Sequence, residues 1–328
     1  MNEFIGNKEV VEYFNEIFKN KKIGQSYLFY GQEGIGKKLF AIKLAKSLLC
    51  KNNVFWGCNN CAACRKVDRD IHSDLNIYEP ENTIISIEQV RLIIQKLKYK
   101  PIESNYSIHI IDAVETMRIE AANAFLKIIE EPPEYALLIL ITTVLDILPA
   151  TVRSRCQIIR FNKLSEKEIK DFLISQNISY DKAELLSLWS NGSLSKALRI
   201  DFDTYLAIRN SAYEIFKYMI DKNKNITFPE SIPVGFKRGK DKSSILKDNF
   251  QILLYFLADF ILESIHIKTI GKSSHHPDLY EQFEKISCQI KIDDMFSWIQ
   301  QLERIREEYR IFHKNYLSLL QKIILINA

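Results

Sequence analysis

Two sets of side chains in this sequence have the types and the spacing to do chemistry. The first is Gly31-Gln32-Glu33-Gly34-Ile35-Gly36-Lys37, a glycine-rich run closed by a lysine. Glycines so placed let backbone N–H groups face a phosphate at a helix start, and Lys37 adds a charge for the outer phosphate oxygens. The second is Cys50-x7-Cys58-x2-Cys61-x2-Cys64. Thiolates at this spacing can enclose one tetrahedral Zn²⁺, with Gly57, Asn59 and Asn60 supplying turns. Four thiolates leave no position for water, so zinc at Cys50, Cys58, Cys61 and Cys64 is expected to be structural. Iron–sulfur is the alternative metal, and no electron-transfer motif accompanies it. His72 lies eight residues beyond Cys64 and reads as a hydrogen-bonding group, not a ligand.

The phosphate loop lacks two partners that hydrolysis needs. A working P-loop follows its lysine with Ser or Thr, whose hydroxyl ligates Mg²⁺. Here the residue is Lys38, and an ammonium repels a cation. The run Ser107-Ile-His-Ile-Ile-Asp112 carries Asp112 to a strand end, where the acidic partner of the loop belongs. The following position, where a carboxylate would polarise the attacking water, is Ala113. Glu115 is displaced in register and reads as a solvated loop carboxylate. With both groups missing, hydrolysis is expected to be lost. Gly31, Gly34, Gly36, Lys37, Lys38 and Asp112 are compatible with bound ATP or ADP and equally with a vacant loop.

The elements that must position these residues follow from periodicity. Strands are expected at 26–30, 75–78, 107–112, 137–143 and 158–161. Helices are expected at 8–18, 37–50, 87–99 and 119–129, the second with Leu39, Ile42, Leu44, Ala45, Leu48 and Leu49 inward. Strands alternating with helices predict a parallel sheet with helices on both faces. From 165 onward the pattern is helical only: 165–176, 181–189, 193–200, 205–222, 245–268, 278–290, 295–309 and 312–326. The stretch 227–244, with Lys237, Arg238, Lys240 and Lys242, reads as an exposed basic loop.

Composition narrows the class. Forty-five basic against forty-one acidic residues leaves +4, too little for binding by bulk charge. Ten Gly and eight Pro among 328 residues exclude collagenous or low-complexity chains. Glu3, Lys8, Glu9 and Glu12 interrupt the N-terminus, which therefore does not read as a secretory signal. The apolar stretch 136–145 is half a membrane span and reads as a buried strand. A soluble, cytoplasmic protein with no membrane partner is expected, and clustered cysteines there favour a metal over disulfides.

Taken together, the phosphate loop, Asp112, Ala124-Phe-Leu-Lys-Ile-Ile-Glu-Glu-Pro-Pro133, Thr142-Thr143 and Ser154-Arg155-Cys156 resemble a bacterial clamp loader of the AAA+ class. Phe4-Ile-Gly6 and Gln25-Ser-Tyr-Leu-Phe29 also fit, and the resemblance covers about residues 1–205. It implies a subunit of the DNA polymerase III assembly that uses ATP to open the sliding clamp and place it on primer–template DNA. It implies an α/β P-loop AAA+ domain over 1–163 with the zinc module at 50–64, a small helical lid over 164–205 and an all-helical collar over 206–328. Lys38 and Ala113 depart from the hydrolysing gamma/tau type and match the delta prime type, which the family treats as stationary. Ser195, at the arginine position of the second sensor motif, agrees, with Lys196 expected to point off that face. So does the end at Ala328, without the long tail of tau. The resemblance gives Arg155 a role in trans, as an arginine finger in a neighbour's ATP site, and leaves this chain not itself catalytic. The competing accounts are a local ion pair for Arg155, or Arg153 in its place. Thr142 or Thr143 is the relic of the first sensor or core strand packing. Partners implied are gamma/tau and delta subunits, with clamp and DNA reached through the hetero-oligomer. The alternatives are an active gamma-like ATPase, and an independent zinc-containing nucleotide-binding module.

Overall fold

The computed structural model describes residues 4–220, 242–271, 276–312 and 322. The basic stretch at 227–244 and the expected helix at 312–326 fall mostly outside the described residues. Two compact units divide the chain, Met1–Arg199 and Ile200–Ala328.

The first unit is built on a five-stranded parallel sheet. Its strands are β1 (Ser26–Tyr30), β2 (Leu75–Tyr78), β3 (Ser107–Ile111), β4 (Ala136–Thr142) and β5 (Gln157–Arg160), in spatial order β2-β3-β4-β1-β5. β1, β3 and β4 are apolar and buried almost throughout, as strands covered on both faces must be. Register places Leu28 opposite Leu140 and Tyr30 opposite Thr142. Successive side chains alternate between faces and therefore feed two cores. Tyr27 and Phe29 join Phe14, Phe40 and Phe161 on one side. Leu28 joins Ile111, Val90, Ile93 and Phe125 on the other.

The helices of this unit are α1 (Lys8–Lys19), α2 (Lys37–Leu49), α3 (Ala62–Asp68), α4 (Ile87–Leu97), α5 (Ile119–Glu130), α6 (Ala150–Arg153), α7 (Glu166–Ser175), α8 (Tyr180–Trp189) and α9 (Leu194–Arg199). Ser86 caps α4 by accepting from the Gln89 N–H at 3.2 Å. Ser165 and Glu168 form a reciprocal capping box on α7. The inner face of α2 differs from the sequence expectation at one position. Leu39 is 53% exposed, and Phe40 takes the core place, with its ring 5.2 Å from Phe14 and 5.3 Å from Phe161. Leu39 and Phe40 stand about 100° apart on the helix, so they cannot both face this core, and the larger Phe40 ring fills it.

The second unit contains α10 (Phe202–Ile220), α11 (Lys242–Ile270), α12 (Tyr280–Gln289) and α13 (Ile292–Phe312). Phe216, Phe256, Phe260 and Phe283 are fully buried at its centre. α13 runs unbroken through 309–312, where the sequence pattern predicts an interruption. Residues 249–270 of α11 are long and apolar enough to cross a membrane, and 56% of the most apolar window is buried within the protein, as in a core helix.

Candidate functional site: the phosphate loop and the four thiols

Both candidate sites hang on α2. Its N-terminus follows the glycine loop at the C-terminal edge of the sheet, where ligands of open parallel sheets bind. Its C-cap is Cys50, the first of the four thiols.

At the N-terminal end, Gly34 sits at φ +76°, and a Cβ there would fall 2.2 Å from Ser193 Oγ. Glycine is therefore required both for the turn and for the approach of α9. The Ser195 N–H donates to the Gly34 carbonyl at 3.1 Å, tying the loop to α9. Lys37 is buried, and its ammonium donates to the carbonyls of Gly31 (2.6 Å) and Gln32 (2.7 Å). Burial holds it below the usual lysine range, opposed by the charges of Asp112, Glu115 and Glu33. Lys38 pairs with Glu79. Asp112 lies just past β3 and accepts from the Ala113 N–H at 2.9 Å; burial raises its carboxyl, against the charge of Lys38. Gly34, Gly36, Lys37, Lys38 and Asp112 line one cavity of about 880 Å³, shared with Phe4, Thr143 and α9. The sequence-derived set Gly34, Gly36, Lys37, Lys38 and Asp112 is thus brought together, with Gly31 at the loop's start.

Glu115 corrects the sequence reading. It is no solvated loop carboxylate: it lines the cavity, its Oε1 accepts from the Thr143 hydroxyl (2.6 Å) and N–H (3.1 Å), and its Oε2 is buried without a hydrogen-bond partner. Ala113, in a left-handed conformation (φ +52°), and the short turn after it swing Glu115 back over the end of β4. Thr142 instead closes a local turn with Val144 inside the core. On α9, Ser195, Leu198 and Arg199 face the cavity and Lys196 does not line it, as helical spacing requires. Arg199 escaped the sequence reading; its signal was position i+4 from Ser195.

Arg155 is half-exposed and accounted for locally. It pairs with Glu130 (2.6 Å) and donates to the Thr151 carbonyl (2.8 Å). Arg153 pairs with Asp146 at 3.0 Å. Cys156 is packed against the α4–α5 core, and burial pushes its thiol up to about 12, far from nucleophilic use.

At the C-terminal end of α2, the Sγ atoms of Cys50, Cys58, Cys61 and Cys64 lie within 4.8 Å of one another. Tetrahedral Zn–S bonds of ~2.3 Å require sulfurs ~3.8 Å apart, and Cys58 and Cys64 stand at 4.0 Å. The N–H groups of Cys58, Cys61 and Cys64 each point at the preceding thiol's sulfur at 3.4 Å. Hydrogen bonds from Asn60 and Cys61 push the Cys58 thiol down to about 6, toward the thiolate a metal needs. The donor set and its spacing fit a closed structural zinc site. Behind it, Lys46 donates to Asn59 (2.5 Å) and Asp68 (2.6 Å), fixing the knuckle to α3. His72 stays apart, with its Nδ1 accepting from the Asp74 N–H at 3.2 Å.

Residues 6–165 match the family described as "DNA polymerase III, delta subunit". The chain is 32% identical over 206 residues to DNA polymerase III subunit gamma of Buchnera aphidicola subsp. Schizaphis graminum, covering 60% of this chain and 56% of that one. It is 34% identical over 178 residues to DNA polymerase III subunit delta' of Bacillus subtilis, covering 54% of each. It spans just over half the length of these relatives. Among solved structures, a gamma subunit-related protein of Thermotoga maritima aligns over 96% of this chain and 98% of that one, at 17% identity and a TM-score of 0.44.

Proposed function

We propose, from the family match over residues 6–165 and the likeness to delta' and gamma relatives, that the chain is a clamp-loader AAA+ protein and serves as the non-hydrolysing, delta prime-type subunit of a DNA polymerase III clamp loader. It would act in the cytoplasm, inside a hetero-oligomer with gamma/tau and delta subunits, helping to place the sliding clamp on primed DNA. The observation that carries this reading is the cleft itself: a complete glycine cradle in which Lys38 replaces the Mg²⁺-binding hydroxyl and Ala113 replaces the water-polarising carboxylate. The knuckle holds structural zinc. The helices at 164–205 act as lid and those at 206–328 as collar. In that collar Tyr255 and Leu262, a heptad apart on α11, are both exposed, while Phe256 and Phe260 serve its own core.

Arg155 would leave Glu130 to meet a neighbour's nucleotide. Arg155→Ala should fold normally, since an exposed ion pair contributes at most ~1 kcal/mol. It should lower DNA-stimulated ATP hydrolysis by the complex reconstituted with gamma/tau and delta; unchanged hydrolysis removes the finger role. Failure to co-assemble with gamma/tau would favour an independent nucleotide-binding module and sink the loader reading.

One observation favours a second reading, a gamma-like ATPase: Glu115 reaches the cavity with an unpartnered oxygen. Turnover of ATP by the purified chain, abolished by Lys37→Ala and by Glu115→Gln, would establish it in place of the first.

A further inference from the structure

Metal-assisted nucleotide binding requires a neutral or anionic group where the second residue of α2 meets the acidic strand end. This cleft has an ammonium there. Lys38 lines the cavity, pairs with Glu79, and its charge acts on Asp112. Mg²⁺ does not fit this arrangement: a divalent ion beside Asp112 would sit against a fixed like charge, and Lys38 has no lone pair to give it. The remaining charges are consistent with another solution. The cavity is lined by four cationic side chains, Lys37, Lys38, Lys43 and Arg199, and three acidic ones, Glu33, Asp112 and Glu115. An ammonium carries three donors, so Lys38 can keep Glu79 and still offer protons to phosphate oxygens.

We propose that Lys38 takes the place of Mg²⁺, so that this loop binds a nucleoside di- or triphosphate without a divalent cation. The proposal rests on the nucleotide-site reading of the cleft and assigns the charge that neutralises the ligand. It also accounts for the retained glycines and Lys37 beside a lost metal ligand: the cradle contributes backbone N–H groups, and Lys38 supplies what the ion would have supplied.

Calorimetric titration of the full chain with ADP, once in EDTA and once in millimolar Mg²⁺, tests it. The wild-type affinities should agree within ~3-fold, because the two conditions differ by less than the ~1.4 kcal/mol that makes a tenfold change. Lys38→Thr restores the hydroxyl and removes the ammonium. Its affinity in EDTA should fall about tenfold, the loss of one charge-assisted hydrogen bond, and Mg²⁺ should recover it. Lys38→Arg, which keeps the charge, should stay insensitive to the ion and guards against a Thr variant that fails to fold. A wild-type affinity that drops tenfold or more in EDTA overturns the proposal, as does a Lys38→Thr protein as indifferent to Mg²⁺ as wild type. Absence of ADP binding in both conditions overturns the proposal and the nucleotide site together. The loader reading would then still be judged separately, by co-assembly with gamma/tau.

Discussion

Helix α2 joins two sites that have fared differently. At its C-terminal end the knuckle has every group its chemistry needs: four sulfurs at metal spacing, N–H groups aimed at three of them, and Lys46 bracing the turn from behind. At its N-terminal end the cradle is complete and the reactive groups are not. The same thirteen residues thus connect a full set of metal donors to a glycine cradle with Lys38 at the hydroxyl position and Ala113 at the carboxylate position. The contrast shows what each site is built for. A closed metal site contributes to stability wherever it lies, whereas a phosphate loop serves through what it binds.

The largest effect that would break this contrast is at the knuckle. Cys58→Ser with Cys61→Ser should abolish stoichiometric zinc and remove several kcal/mol of stability, part of the ~10 kcal/mol such sites contribute in zinc-finger peptides. Metal analysis and thermal unfolding measure both, and an unchanged melting temperature would put the two ends of α2 on an equal footing. Phe40→Ala comes next. Its ring touches Phe14 on α1, Trp56 in the knuckle loop and Phe161 beyond β5, so truncation should cost ~3–5 kcal/mol and loosen both ends together. Proteolysis confined to one end would show that they are not coupled through this ring.

Acid should act on the sheet between them. His109 is fully buried, with Nε2 2.9 Å from Ser107 Oγ and Nδ1 3.2 Å from Tyr78 Oη, and burial, aided by the charge of Lys96, pushes it down to about 4. A histidine held neutral in the fold binds its proton more readily when unfolded. Its contribution is therefore present above the unfolded value near 6.5 and is lost as pH falls toward 4, amounting to about 3 kcal/mol. Chemical denaturation between pH 7 and 4 should show that loss, and His109→Gln should flatten it. The smallest effect belongs to the loop. Glu79→Gln breaks an exposed ion pair and should change stability by less than ~1 kcal/mol, a null result by thermal unfolding that isolates any change in ADP affinity as a local one.

Much of this was legible from residue types. The strands announced themselves because β1 and β4 are uninterrupted apolar runs, and the four cysteines because their spacing is itself the ligand geometry. What escaped depends on backbone direction. Glu115 looked like a surface residue because linear register says nothing about a left-handed Ala113 that turns the chain back over β4. Arg199 went unnoticed because the motif drew attention to Ser195, one turn earlier on the same face. Phe40 takes the core role over Leu39, a choice between neighbours about 100° apart on the helix that an apolar pattern with several candidates does not fix.

The contact between Arg155 and Glu130 holds the guanidinium in one place, which bears on the finger role proposed for it. A guanidinium left to swing freely surrenders ~2 kcal/mol of rotamer freedom when it docks, and one already moored has surrendered part of it beforehand. Under the proposed role in trans, handing it to a neighbour's phosphate would swap one anion for another with no ion pair gained or lost. The more highly charged anion wins, so the parked arm would answer to how many phosphates the neighbour holds.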